Sequence, residues 1–85
     1  MAIEQFTLAI RVNAQLEDAY YYRGLAYNYL DQHQRAIEDY DQAIQINSNE
    51  APYYVVRAVA YSHLGQNAKA AADDAKACSL DSHWC

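Results

Sequence analysis

Glycine occurs twice and proline once in this chain of 85 residues, and Gly24 and Gly65 stand 41 positions apart. A glycine-rich loop that cradles phosphates cannot be assembled from them. Cysteine is as scarce: Cys78 and Cys85 lie near the carboxy end, and two such residues indicate no disulfide framework. On a helix, Cys78 is expected to be a small buried apolar residue, with Cys85 exposed. Positive charge is also in short supply, because 6 basic residues face 11 acidic ones for a net charge of -5. Backbone-tracking nucleic-acid binders need a basic stripe, so no nucleic-acid partner is expected. No apolar run reaches the roughly 18 residues of a membrane span. The opening "MAIEQFTLAIRV" carries Glu4 and lacks the early basic patch and compact apolar core of a secretory signal, which makes a cytoplasmic protein without a membrane partner the expectation.

Reactive groups are equally dispersed. His33, His63 and His83 have no Cys, Ser or acidic neighbour at a spacing that makes a nucleophile and base. His83 and Cys85 together offer two metal ligands where a closed zinc site takes four. The acidic runs Glu38 to Asp41 and Asp73-Asp74 lack the glycine-containing loop of a calcium site and are read as solvated helix faces. The chain is therefore expected to be no enzyme, with no cofactor and no metal.

What the chain has in quantity is apolar and aromatic residues, 53% and 13% of the total, enough for one folded domain spanning 1–85. Five of the eleven residues in "YYYRGLAYNYL", Tyr20 to Leu30, are tyrosine. Their purpose becomes legible once the chain is aligned with itself at a shift of 34. Tyr20 then falls on Tyr54, Arg23 on Arg57, Ala26 on Ala60, Tyr27 on Tyr61, Leu30 on Leu64, Ala36 on Ala70, Asp39 on Asp73 and Ala43 on Ala77. The opening residues join the register, with Ala2, Ile3 and Glu4 on Ala36, Ile37 and Glu38, and Phe6 on Tyr40. The chain thus reads as a half unit (2–12) and two whole units (17–50 and 51–84).

Inside each unit, apolar residues recur at helical spacing in two blocks with a polar break between them. Tyr20, Gly24, Tyr27 and Leu30 form the first stripe; Ala36, Ile37, Tyr40, Ala43 and Ile44 form the second. The spacing predicts five helices, over 2–12, 17–30, 34–46, 51–64 and 68–79. Asn49 is the expected N-cap of the fourth, Pro52 suits its first turn, and Gly65 suits the turn after it. No stretch alternates with the period of a strand.

These residues resemble the tetratricopeptide repeat, a 34-residue helix-turn-helix unit with an aromatic, a small residue, a tyrosine, then alanine and an aromatic at set intervals. The first whole unit supplies Tyr20, Gly24, Tyr27, Ala36 and Tyr40; the second supplies Tyr54, Ala58, Tyr61 and Ala70, with Asp74 in place of the last aromatic. The resemblance implies an all-α fold, repeats stacked as a short right-handed α-solenoid of about five helices. Small residues at Gly24, Ala58, Ala36 and Ala70 then face bulky tyrosines on partner helices. Arg23 and Arg57 are each expected to pair with an acid of the following helix, Asp39 and Asp73.

In the family, the first helix of each unit lines a concave groove that holds a peptide or partner helix. Carried to this chain, the groove residues are Tyr21, Leu25, Asn28, Tyr29, Val55, Val59, Ser62 and His63. Where carboxylate-clamp members carry Lys, Asn and Arg, the matching face here carries Tyr21, Leu25, Val55 and Val59, which speaks against that mode. The expected function is a non-enzymatic scaffold for a protein or peptide partner. The alternative is self-assembly: the first helix lacks the other helix of its unit, so Ile3, Phe6 and Ile10 would form a homo-oligomer interface.

Overall fold

The structure is a computed structural model that describes residues 2–85. The Ala2 side chain, aligned above with Ala36, lies outside the described residues. Five α-helices follow one another: α1 (Ala2–Val12), α2 (Glu17–Tyr29), α3 (His33–Ile46), α4 (Ala51–His63) and α5 (Asn67–Leu80). Each boundary falls within one residue of that read from periodicity. A 3₁₀ turn, Ser82–Trp84, follows α5, and the described residues include no strand.

The turns explain why the period is kept. At the end of α2, the Gln32 amide donates to the Tyr27 carbonyl at 2.9 Å and the Asp31 amide to the Asn28 carbonyl at 3.1 Å. At the end of α4, Gln66 donates to Tyr61 at 2.9 Å and Gly65 to Ser62 at 3.0 Å. This bond pair needs a left-handed residue just beyond the helix. Gly65 adopts it at φ 74°, and Asp31 adopts it at φ 61° despite its Cβ. One expectation fails at the start of α4. Asn49 does not cap it: the cap position is Glu50, which makes no side-chain cap bond, and the Asn49 amide donates to the Asn47 side chain in a local turn. Pro52 lies in the first helical turn, where a missing amide costs nothing.

Within each unit the helices pack as pairs, α2 on α3 and α4 on α5, while α1 packs on α2 and α3 on α4. In addition α2 touches α4 directly, and no packing of that extent joins α3 to α5. The array therefore closes toward α2 and α4, which form its inner face. Between the layers lies Tyr40, fully buried on α3 among Ala36, Ile37 and Ala60. Its ring occupies the gap left by Gly24 on α2, where a Cβ would come within 2.8 Å of Tyr40 Cδ1 and nearer still to Cε1. In the second unit Ala58 is buried, but Asp74 is exposed and no ring fills the matching place.

Two expectations are corrected by polar and sulfur contacts. Asp39 and Asp73 are not solvated: they are 4% and 5% exposed and ion-paired to Arg23 and Arg57 at 2.7 Å. Helix periodicity puts them on the inner side of α3 and α5, where the arginines reach them from α2 and α4. Glu38 and Asp74 do face solvent. Cys78 and Cys85 form a disulfide, with Cα atoms 4.7 Å apart. The turn after α5 causes this, since the Asp81 side chain accepts the His83 amide and bends the last residues back onto the helix end.

A candidate docking groove between α2 and α4

The floor of the inner face is made where α2 and α4 meet. Tyr21 projects from α2 and is half-buried, its ring 5.0 Å from Tyr53 of α4, 6.4 Å from Tyr40 and 5.3 Å from Tyr22. Burial, helped by the Tyr22 phenol, raises its pKa. Leu25 lies one turn along and packs against the Tyr40 cluster. Tyr53 is 6% exposed and donates its hydroxyl to Glu17 Oε2 at 2.6 Å, tying the start of α4 to the start of α2. Sequence reading did not single out Tyr53. The signal was present, since its register partner is Ala19, and a ring replacing a methyl in an inner helix must fill space between units.

Higher on the same face, side chains point outward. Tyr29 is 88% exposed and Val59 is 45% exposed. Val55 is half-buried against Ala51, Tyr54 and Ala77, while Ser62 and His63 are exposed. The His63 ring stacks on His33 with centroids 4.3 Å apart and planes 2° from parallel. His33 in turn donates from Nδ1 to Asn28 Oδ1, so Asn28 is occupied in holding the turn rather than free in the groove. The expected groove residues therefore divide into a floor packed at the α2–α4 joint (Tyr21, Leu25), Val55 packed toward α5, and an open set (Tyr29, Val59, Ser62, His63).

The residues assigned to an oligomer interface are placed differently from one another. Phe6 stacks on Tyr22 at 5.9 Å, and Ile10 packs against the cluster of Tyr20, Ala43 and Tyr53. Ile3 is half-buried and lines a shallow recess with Thr7 and Leu8. The apolar residues that α1 leaves open are Leu8, 58% exposed, and Val12, 88% exposed.

Profiles of the tetratricopeptide repeat match residues 17–50 and again 51–83. The chain belongs to the tetratricopeptide repeat family. Two solved structures share its fold: a crystal structure of MamA, with TM-score 0.91, and one of MamA protein, with TM-score 0.89, each 31% identical. They align with 95% and 94% of this chain, but with only 47% and 44% of their own, so the chain spans about half the length of these relatives. No curated protein matches it significantly. Membership makes the chain a helical-repeat module of the kind that engages other proteins. Among the described residues, no helix is long and apolar enough to cross a membrane.

Proposed function

We propose that the inner face of α2 and α4 is a docking groove for an extended peptide or a helix of a partner protein, with no chemistry of its own. The observation that carries this reading is that large apolar side chains stay open on the inner helices beside a packed aromatic floor. Tyr29 and Val59 are held out to solvent on the same helices whose other faces are locked into the core. A large tyrosine contributes contact area at small entropic cost, the quality that binding hot spots share.

The structure changes which residues should be probed. Truncating Tyr21 or Leu25 would strip the joint between units as well as the groove. Tyr29 and Val59 can be altered without disturbing packing. A photo-crosslinking residue at position 29 or 59 should capture a discrete partner in a native extract, and the same residue at exposed Gln42 on α3 should not. Glutamate at position 59 should then abolish capture from position 29. Equal labelling from positions 29 and 42 would rule the groove out.

Exposed Leu8 and Val12 favour a second reading, self-association through α1. Light scattering at rising concentration tests it. A monomer of 9.7 kDa throughout would exclude it.

A further inference from the structure

We propose that Cys78 and Cys85 are a site of reversible thiol–disulfide exchange, and that the state of their bond decides whether the turn after α5 is closed or free.

The first support is the register. Cys78 stands where the earlier units have Ile10 and Ile44, and Cys85 stands where they have Glu17 and Ala51, the first residues of α2 and α4. The turns between these positions are built alike. The side chains of Asn13, Asn47 and Asp81 each accept the amide two residues on, at 3.0, 3.1 and 2.9 Å. Leu16 donates to the Asn13 carbonyl at 3.3 Å, as Trp84 does to the Asp81 carbonyl at 3.0 Å. What holds the turn is different. Ile10 packs against the cluster of Tyr20, Ala43 and Tyr53, and Ile44 against that of Ala51, Tyr54 and Ala77, so the following inner helix covers each earlier turn. After α5 the Cys78–Cys85 bond joins the same two positions covalently, and residues 81–85 are all exposed. The bond thus stands in for an apolar contact.

The second support is that the fold does not lean on either sulfur. The buried residues of α5 are Ala70, Asp73 and Ala77, and Leu80 packs on the Tyr54 cluster, which anchors the helix without the cysteines. Breaking the bond therefore frees the turn alone. Once open, the turn has only a few solvated hydrogen bonds to set against the entropy of an exposed segment. Cys85 is exposed and Cys78 half-buried, which directs attack to the Cys85 sulfur. A thiolate of a dithiol reductant bonds to that sulfur, the S–S bond breaks, and Cys78 leaves as a thiolate that takes a proton. The reductant's second thiol then attacks its own mixed-disulfide sulfur and releases Cys85, which is protonated in turn. Two electrons and two protons have passed to the protein, and the reductant is left as a disulfide. Oxidised glutathione, accepting the same electrons, reverses the exchange.

Trp84 is the only tryptophan, so its fluorescence reports on the turn directly. The full chain is equilibrated in glutathione buffers of graded ratio, with dithiothreitol as the reducing limit, then alkylated and weighed intact. Labelling should rise from none to two per chain in one two-electron step, without linked dimers. In the reduced chain, acrylamide should quench Trp84 more steeply, and hydrogen exchange over 78–85 should approach the rate of an unstructured peptide. Exchange across α2 to α4 and far-UV circular dichroism should not change. The double variant Cys78→Ser with Cys85→Ser should match the reduced chain in every buffer. Two labels per chain in the most oxidising buffer, or dimers in place of the internal bond, overturn the exchange site. Equal quenching and exchange in the two states mean that the turn stands without the bond, which overturns its control of the turn. Faster exchange through α2 to α4 on reduction makes the bond a staple of the whole fold and overturns it as well.

Discussion

Arg57 grips both oxygens of Asp73, from Nε at 2.8 Å and from Nη2 at 2.7 Å. Its remaining Nη1 reaches back to Asp41 on α3 at 2.8 Å. Arg23 does the same one unit earlier, holding Asp39 at 2.9 and 2.7 Å and Thr7 of α1 at 3.2 Å. Thr7 and Asp41 occupy the same place in the 34-residue register, so one arginine per unit fastens its inner helix to two successive outer helices. The ion pair is thus a joint between units as well as within one.

Asp73 is 5% exposed, so its removal leaves a desolvated guanidinium with most of its acceptors gone. Asp73→Ala should lower unfolding free energy by about 3 kcal/mol, the cost of breaking a buried pair from one side. Arg57→Lys should cost about 1–2 kcal/mol, because a point charge cannot reproduce the two-pronged bond and the third contact together. Urea unfolding followed by circular dichroism measures both. A loss below about 0.5 kcal/mol for Asp73→Ala, the range of surface changes, would mean that the pair is solvated in solution.

Gly24 is required by Tyr40 rather than by its own backbone. A methyl at position 24 would press into a fully buried ring that Ala36, Ile37 and Ala60 hold from the other sides. Overpacking of this kind costs about 1–3 kcal/mol. Gly24→Ala should therefore destabilise, although alanine is the better helix former by about 1 kcal/mol. Combining it with Tyr40→Leu should restore part of the loss, and the double-mutant cycle in urea measures the coupling.

The helices, their boundaries and the pairing of each arginine with the acid sixteen residues on were legible from one repeat period, because period and small-to-large alternation both report burial directly. What the sequence concealed involved residues that break the register. Tyr53 stands where the first unit has Ala19, and Asp74 where it has Tyr40, so neither could be placed by copying one unit onto the next. The cysteines lie seven apart, a spacing that suits no bridge along a continuing helix; only the turn begun at Asp81 brings them together. The groove divided for a similar reason. Helical spacing identifies which residues share a face, but Tyr21 and Tyr29 share one and differ in exposure: the Tyr21 ring lies against Tyr53 of α4, while Tyr29 is 88% exposed.

Asp31 holds the left-handed position that Gly65 holds in the next unit. A Cβ there is strained by about 1 kcal/mol. Asp31→Gly should accordingly stabilise the protein by about 0.5–1 kcal/mol, raising the melting temperature by a few degrees. Gly65→Ala should do the reverse at the matching turn, where open space around the glycine leaves backbone strain as the only cost. The pair of changes, read by thermal melts, should be of opposite sign and similar size.

Alkaline pH should unfold the protein through its phenols. Tyr40 and Tyr53 are both held well above the usual phenol range, Tyr40 by burial and then by Tyr21 and Asp39, Tyr53 by burial and then by its bond to Glu17 and the acids around it. Tyr21 and Tyr61 are raised too, mainly by burial. A raised value means that the folded chain keeps protons which the unfolded chain has lost above a pH of about 10. Stability from these groups is complete below that pH and falls as pH climbs toward the folded values. Phenolate absorbance during titration should rise in two stages, the second of them, from the buried set, in one step that coincides with loss of helical circular dichroism. Tyr53→Phe should delay the second step, since one of its contributors is gone. A single smooth titration of all nine tyrosines, with helicity intact, would mean that Tyr40 and Tyr53 reach water in the folded state.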